Sequence, residues 1–307
     1  MKLKKITVLM LCMIMLAVFS AGCSGEQETF HLTILHTNDW HGVLFDVPQY
    51  ATLINEIRAE TENVLLLDGG DIYRRGPFEA WNGVAEISVM NAMGYDALVF
   101  GNNEFPRVDD ELRYISQHTI LQHAEFPVLL GNVMLDGAFV EGFLPYIILD
   151  VQGVDVAIIG VTSPKPWDRG FEFTSRYTFL DPAQTVLQIV EETNDRADIH
   201  IVLSHAGIEL DRTMRSVSAI IGGDNHLALH EPEIVRDGER RIPIVQAGGE
   251  QNHYLGQLDL TFARVYGVWT LQDFDGRLLS VEGVTPDAEI QQMIDDYWAL
   301  LLQEDAA

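Results

Sequence analysis

Leu32-Thr33-Ile34-Leu35-His36-Thr37-Asn38-Asp39-Trp40-His41-Gly42 is the stretch from which the fold follows. Its first half is a short apolar, β-branched run with the composition of a buried strand. Its second half leaves that strand, sets Asp39 and His41 two residues apart and closes on Gly42. A carboxylate and an imidazole at the carboxyl end of a buried strand are well placed to bind a metal. The strand fixes their position, and open α/β sheets carry their sites at that end. One Asp-x-His pair decides nothing by itself; the reading depends on whether later strands end in matching ligands.

Four more strands do. Asn63–Leu67 runs into Asp68-Gly69-Gly70-Asp71, and Asp96–Phe100 runs into Gly101-Asn102-Asn103-Glu104-Phe105-Pro106. Ile199–Leu203 ends in Ser204-His205-Ala206-Gly207, and Ala219–Ile221 ends in Gly222-Gly223-Asp224-Asn225-His226. The candidate ligands are therefore Asp39, His41, Asp71, Asn102, His205, Asp224 and His226. Seven oxygen and nitrogen ligands are too many for one ion but suit two ions that share a bridging carboxylate. Such sites hold their ions about 3.5–4 Å apart and catalyse in-line displacement at phosphorus.

Between and after these strands the pattern predicts helices over Gln49–Glu60, Ala80–Met93, Asp109–His118 and Pro182–Asp195. It also predicts strands at Pro127–Leu130 and Ile242–Val245, and a hairpin of Tyr146–Val151 with Val154–Val161 around Gln152-Gly153. Tyr254–Phe262, Gly267–Phe274 and Arg277–Glu282 read as an antiparallel meander whose last turn is Asp275-Gly276. A final helix spans Asp287–Gln303. There are no internal repeats and no low-complexity tract.

Moving outward to the amino end, Lys2, Lys4 and Lys5 precede the apolar run Ile6–Phe19 and then Ser20-Ala21-Gly22-Cys23. This is a charged region, an apolar region and a small-residue processing site, with an apolar run too short for a comfortable membrane span. The last four residues resemble a bacterial lipobox, with Ser20 where Leu is more usual. The expected organisation is a leader over 1–22, a tether over 23–31 that begins at a lipidated Cys23, a catalytic domain over 32–284 and a C-terminal helical segment over 285–307. Cys12 lies in the leader, so the processed chain can form no internal disulfide.

The 307-residue chain carries a formal charge of −27, and losing the three leader lysines takes it to −30. Such a surface repels nucleic-acid polymers and anionic membranes, so a polyanion-binding module is excluded and any membrane association runs through the lipid. An anionic substrate has to be attracted locally, by metal charge or by arginines. Arg74, Arg75 and Arg107 lie beside the candidate metal loops.

Taken as a set, Leu35–Gly42, Leu65–Asp71, Gly101–Phe105, Leu203–Gly207 and Ile220–His226 resemble the successive motifs of calcineurin-like metallophosphoesterases. Val245–Phe262, with Gln246-Ala247-Gly248 and Tyr254-Leu255-Gly256, is similar to the N-terminal domain of the 5′-nucleotidase branch. The resemblance runs from about Thr33 to Glu282 and implies an α/β fold, a four-layer sandwich of two facing mixed β-sheets flanked by helices. It implies one ion on Asp39, His41 and His226, a second on Asn102, His205 and residue 224, and Asp71 as the bridge. His36, His118, His123, His200 and His230 match no family ligand position, and His253 is expected to face solvent.

Three departures qualify what the resemblance implies. The family's Gly-Asn-His-Glu-Phe-Asp is here Gly101-Asn102-Asn103-Glu104-Phe105-Pro106, so the histidine that assists the leaving oxygen and the aspartate that orients it are both replaced. Asn103 can donate a hydrogen bond but not a proton, which leaves Asn103 and Arg107 as the candidate catalytic side chains. The family's Gly-His-x-His is here Gly223-Asp224-Asn225-His226; a charged oxygen at 224 favours Mn²⁺ or Mg²⁺ over Zn²⁺, with Fe also among the family's metals. The C-terminal domain that grips the nucleoside in full-length nucleotidases has no counterpart in these residues. The expected function is a two-metal hydrolase of small phosphomonoesters, nucleotides among the candidates, acting outside the cytoplasm from a lipid anchor with impaired leaving-group assistance. The alternative is a catalytically weak, metal-dependent binding protein for a phosphorylated ligand.

Overall fold

In the computed structural model, which describes residues 27–105, 119–163, 177–250 and 254–304, the opening run becomes β1 (Thr29–Thr37). It is followed by α1 (Val47–Glu60), β2 (Val64–Asp68), α2 (Val84–Met93), β3 (Ala97–Val99), α3 (Thr119–His123) and β4 (Val128–Leu129). Next come β5 (Val133–Leu135), β6 (Ala138–Phe139), β7 (Tyr146–Val151), β8 (Val154–Thr162) and β9 (Tyr177–Phe179). The rest are α4 (Pro182–Thr193), β10 (Ile199–His205), α5 (Ile208–Asp211), β11 (Ala219–Gly222), β12 (Glu233–Asp237), β13 (Arg240–Val245), β14 (Tyr254–Val265), β15 (Val268–Ser280) and α6 (Ala288–Glu304).

Two six-stranded mixed sheets result, ordered β15-β14-β1-β2-β3-β4 and β12-β13-β11-β10-β8-β7. In the first, β1 to β4 run parallel and β14 pairs antiparallel with β1 on one side and β15 on the other. In the second, β8, β10, β11 and β13 are parallel, with antiparallel β7 and β12 at the edges. Central parallel strands are covered on both faces, which is why their sequences are continuous apolar runs rather than alternating ones. Leu32, Ile34, Leu65, Leu67 and Val99 pack against Val156, Ile158, Ile201, Leu203 and Ile221 between the sheets. Leu35, Leu66 and Leu98 point the other way, against Ile54 of α1, Val89 and Met90 of α2 and Ile290 and Ile294 of α6. Val161, Val202 and Ile220 likewise meet Val186, Ile189 and Val190 of α4. The order helix, sheet, sheet, helix is the four-layer sandwich expected. No helix among the described residues is long and apolar enough to cross a membrane.

Three sequence expectations need correction. The helix expected over Ala80–Met93 is broken: a short 3₁₀ turn at Glu79–Trp81 is followed by Asn82 (φ 51°) and Gly83 (φ 91°), and α2 starts only at Val84. Two successive left-handed residues cannot continue an α-helix. The expected meander is one long hairpin, because β15 runs unbroken through Asp275-Gly276 and the turn is Tyr266-Gly267 (φ 52° and 87°). Gly276 serves a close approach instead, since a Cβ there would sit 2.5 Å from Pro232 Cγ. The small sheet β6-β5-β9 and the edge strand β12 were not expected. The hairpin of β7 with β8, turning at Gln152 (φ 53°) and Gly153 (φ 85°), is as expected. The helix expected over Asp109–His118 lies outside the described residues, as does Cys23.

Candidate metal centre

The carboxyl ends of β1, β2 and β3 in one sheet and of β10 and β11 in the other meet at one edge of the sandwich. The loops after β1 and β2 are joined by backbone hydrogen bonds: Asp39 N to Gly70 O and His41 N to Asp71 O at 2.9 Å, and Gly42 N to Ile72 O at 2.8 Å. Asp39, His41, Asp71, Asp224 and His226 all have left-handed backbone, with φ between 49° and 73°. Asp and His tolerate that region better than most residues, and such conformations persist where surrounding contacts determine them.

All seven sequence-predicted ligands converge. Asp39, His41, Asp71, Asn102 and His205 are buried, and Asp224 and His226 are part-exposed at the rim. On one side, His226 Nε2 lies 3.3 Å from Asp39 Oδ1 and 3.1 Å from His41 Nε2. On the other, His205 Nε2 lies 3.2 Å from Asn102 Oδ1 and 3.9 Å from Asp224 Oδ1. Asp71 Oδ2 stands between them, 3.8 Å from His41 Nε2 and 3.3 Å from His205 Nε2. Asp39, His41 and His226, and separately Asp39, Asp71 and His205, present donor atoms close enough to hold a metal ion.

The donors fit cations in detail. Asp39 Oδ2 accepts from Asn38 Nδ2 at 2.7 Å and from Asp224 N at 3.0 Å, whereas Oδ1 is buried and without a hydrogen-bond partner, directed at the histidines. An orphaned buried carboxylate oxygen is costly unless a cation or donor meets it. His205 Nδ1 is 2.5 Å from Gly69 O, so it carries the hydrogen and leaves the Nε2 lone pair for a ligand bond. Burial works against charge on His205, but Asp71, Asp39 and Asp224 outweigh it and hold the imidazole well above its usual pKa. Burial would raise Asp71 as well; His205 and His41 reverse this and hold it below the ordinary carboxylate range. Burial lowers His41, and the neighbouring Asp39 carboxylate raises His226. The cluster therefore demands positive charge, which protons supply in a metal-free chain.

Asn103 does not reach outward. Its backbone N donates to Asp71 Oδ1 at 2.7 Å and its Nδ2 to Asp71 Oδ2 at 2.5 Å, so it positions the shared carboxylate. Arg74 is tied inward, donating to Phe105 O at 2.9 Å, while Arg75 is 44% exposed and pairs with Glu250 at 3.4 Å. Pro106, Arg107, His118 and His253 lie outside the described residues. Neither His36, His123, His200 nor His230 joins the cluster. His36 is buried beneath Gly256 with its pKa pushed down to about 3 by burial, and His200 contacts Thr193 Oγ1 at 2.9 Å. A cleft of about 950 Å³ opens elsewhere, lined by His200, Arg241 and Trp269 among others, and none of the seven ligands lines it.

Sequence reading missed the residues that brace the loops. Glu104 Oε2 accepts from Asp71 N at 2.9 Å and Gly101 N at 2.7 Å, and its Oε1 accepts from Ile72 N at 2.9 Å. Asn38 Oδ1 accepts from Ala247 N at 2.8 Å, and Gln246 Nε2 donates to Gly223 O at 3.1 Å. Glu104 had a signal, since it follows two polar loop residues yet precedes the apolar Phe105. Gly101 had one as well: a Cβ there would lie 2.4 Å from Asp71 N.

Residues 32–235 match the profile of the calcineurin-like phosphoesterases. The trifunctional nucleotide phosphoesterase protein YfkN of Bacillus subtilis is 32% identical over 77% of this chain and 18% of its own length. The 5′-nucleotidase of Homo sapiens is 31% identical over 76% of this chain and 47% of its own. The crystal structure of the 5′-nucleotidase precursor from Thermus thermophilus superposes with a TM-score of 0.75 at 25% identity, covering 89% of this chain and 59% of that one. The chain thus spans about half the length of the curated 5′-nucleotidases it matches.

Proposed function

We infer that this chain, which belongs to the calcineurin-like phosphoesterase family, is a metal-dependent hydrolase of small phosphorylated substrates such as nucleotides. The observation that carries this reading is the place of Asp71 Oδ2 between two sets of donors, 3.3 Å from His205 Nε2 and 3.8 Å from His41 Nε2. Asp39, His41 and His226 would hold one divalent ion, Asn102, His205 and Asp224 a second, with Asp71 common to both. Such a pair of ions activates water at neutral pH and offsets charge developing on phosphoryl oxygens. The protein's part is to fix the donors. Glu104 and Asn103 hold Asp71, Asn38 turns Asp39 Oδ1 toward the histidines, and the Gly69 carbonyl sets the His205 tautomer. The additional carboxylate at Asp224 favours Mn²⁺ or Mg²⁺. Lipidation at Cys23 would place the enzyme outside the cytoplasm on a bacterial membrane.

A second reading, a binding protein that captures a phosphorylated ligand and turns over poorly, is favoured by Asn103. It stands where the family has its leaving-group histidine, carries no titratable proton and is engaged with Asp71. Hydrolysis of an aryl phosphate with added Mn²⁺ separates the two. Turnover above a metal-stripped control is expected; turnover equal to that control would sink the enzyme reading.

A further inference from the structure

The amino end of β1 and the tip of the β14–β15 hairpin are joined. Thr29 pairs with Ala263, Arg264 N donates to Glu28 O at 2.9 Å, and the Arg264 guanidinium lies 3.2 Å from Glu28 Oε2. Phe30 packs on Phe262 and Trp269 with ring centroids 6.2 and 5.9 Å apart, and Arg264 lies over the Trp269 ring, so the tip is firmly held. At its summit Tyr266 is fully exposed and Val268 is 62% exposed. Tyr266 also occupies a left-handed turn position (φ 52°), which Asn, Asp or Gly fill at lower cost.

Chain length connects this feature to a membrane. Only five peptide links separate Cys23 from Glu28, a reach of at most about 18 Å even when fully extended. β1 then runs away from that point for nine residues, about 30 Å, before reaching Asp39 and His41. Resting on the reading of Cys23 as lipidated, we propose that the tip Tyr266–Val268 seats in the lipid–water interface, with the metal loops facing away from the bilayer. A tyrosine ring offers an apolar body and a polar end suited to that boundary. The adjoining Glu28 charge is neutralised by Arg264. The strongly acidic chain as a whole is repelled by an anionic surface, which opposes any broad contact with the bilayer.

The test uses the full chain, processed in a bacterial host and reconstituted in phosphatidylethanolamine–phosphatidylglycerol vesicles. With Cys12 removed and Cys23 blocked by lipid, Tyr266→Cys supplies a single thiol for a fluorophore; Val268→Cys repeats the measurement beside it. Phe45→Cys, 69% exposed in the loop after His41, reports the opposite end. Nitroxide-bearing phospholipids should quench the labels at 266 and 268 several-fold more than the label at 45. Intact mass reports the lipid on Cys23 separately. Lipidated protein with equal quenching at 266, 268 and 45 overturns the tip contact while the anchor stands. An unlipidated Cys23 overturns the anchor and the tip contact with it. A label at 266 shielded from aqueous quencher but untouched by lipid nitroxide would assign the tip to a protein partner and overturn the proposal.

Discussion

Glu86 is the residue at which stability of this fold should depend most legibly on pH. It lies in α2, fully buried, with both carboxylate oxygens unpartnered, and a Cβ on Gly42 of the metal loop would sit 3.1 Å from its Oε1. Burial pushes its pKa up from 4.5 to about 7. A carboxyl raised on folding contributes stability that is full below the unfolded pKa and is lost as pH rises through the folded one. Between pH 5 and pH 8 the loss is about 2–3 kcal/mol, from 1.36 kcal/mol per unit of pKa. Asp68 and Asp211 are buried and also raised to about 7, so the parent chain falls further than Glu86 alone predicts. The difference between parent and Glu86→Gln removes those shared terms. Any fixed cost of burying the amide cancels between the two pH values. Urea unfolding of chelator-treated protein at pH 5 and pH 8, followed by tryptophan fluorescence, should show the parent losing about 2–3 kcal/mol more than Glu86→Gln. Glu86→Met, similar in size and without buried polar atoms, should be more stable than the parent at pH 8. Parent and Glu86→Gln losing stability equally would refute an isolated, up-shifted Glu86.

The centre itself yields three further expectations. Asp71→Ala should release both ions, because its carboxylate is common to both donor sets; elemental analysis finding two tightly held metals would contradict the site as drawn. Asp224→His should move metal preference from Mn²⁺ toward Zn²⁺, and an unchanged metal-activation profile would mean that residue 224 is not a ligand. A positioned general acid contributes roughly 10²–10⁴-fold, so activated aryl phosphates should be hydrolysed far better than nucleoside monophosphates. Asn103→His with Pro106→Asp should recover the poor leaving groups selectively; equal rates of the parent on both substrate types would show that another residue assists departure.

The fold and the converging candidate ligands were legible for the same reason. A buried strand that ends in a site is written as an apolar run followed by polar residues and glycine, as in Leu65–Asp71 or Ile220–His226. The supporting shell is not written locally. Nothing near Asn38 shows that its amide receives Ala247 N, more than 200 positions away, and Gln246 meets Gly223 only after β11 and β13 pair. Glu86 sits in a helical pattern where an acid ordinarily faces solvent, so its burial had no sequence signature. Asp275-Gly276 misled because glycine in a strand can serve a neighbour's bulk, here Pro232, as readily as a turn. The short strands β5, β6 and β9, of two or three residues each, have no periodicity to read.

The two departures from the family motifs act on the same quantity. In the proposed centre two divalent cations carry +4 against −3 from Asp39, Asp71 and Asp224, which leaves +1, where a neutral residue at 224 would leave +2. Asn103 adds no charge where an imidazolium could carry one. Both changes reduce the positive potential that holds an anionic phosphoryl group and stabilises its departing oxygen, in a chain whose overall charge of −27 already repels anions. Arg75, 44% exposed and paired with Glu250, is a described cation near enough to oppose protonation of His41 and His226, although burial dominates at His41 and Asp39 raises His226. A centre that gains a carboxylate at 224 and lacks a histidine at 103, with its seven candidate donors still converging, would on this reading still bind metal and orient phosphate. What it would give up is the stabilisation of a strongly basic leaving oxygen, so the expected substrates are esters whose leaving group needs little help.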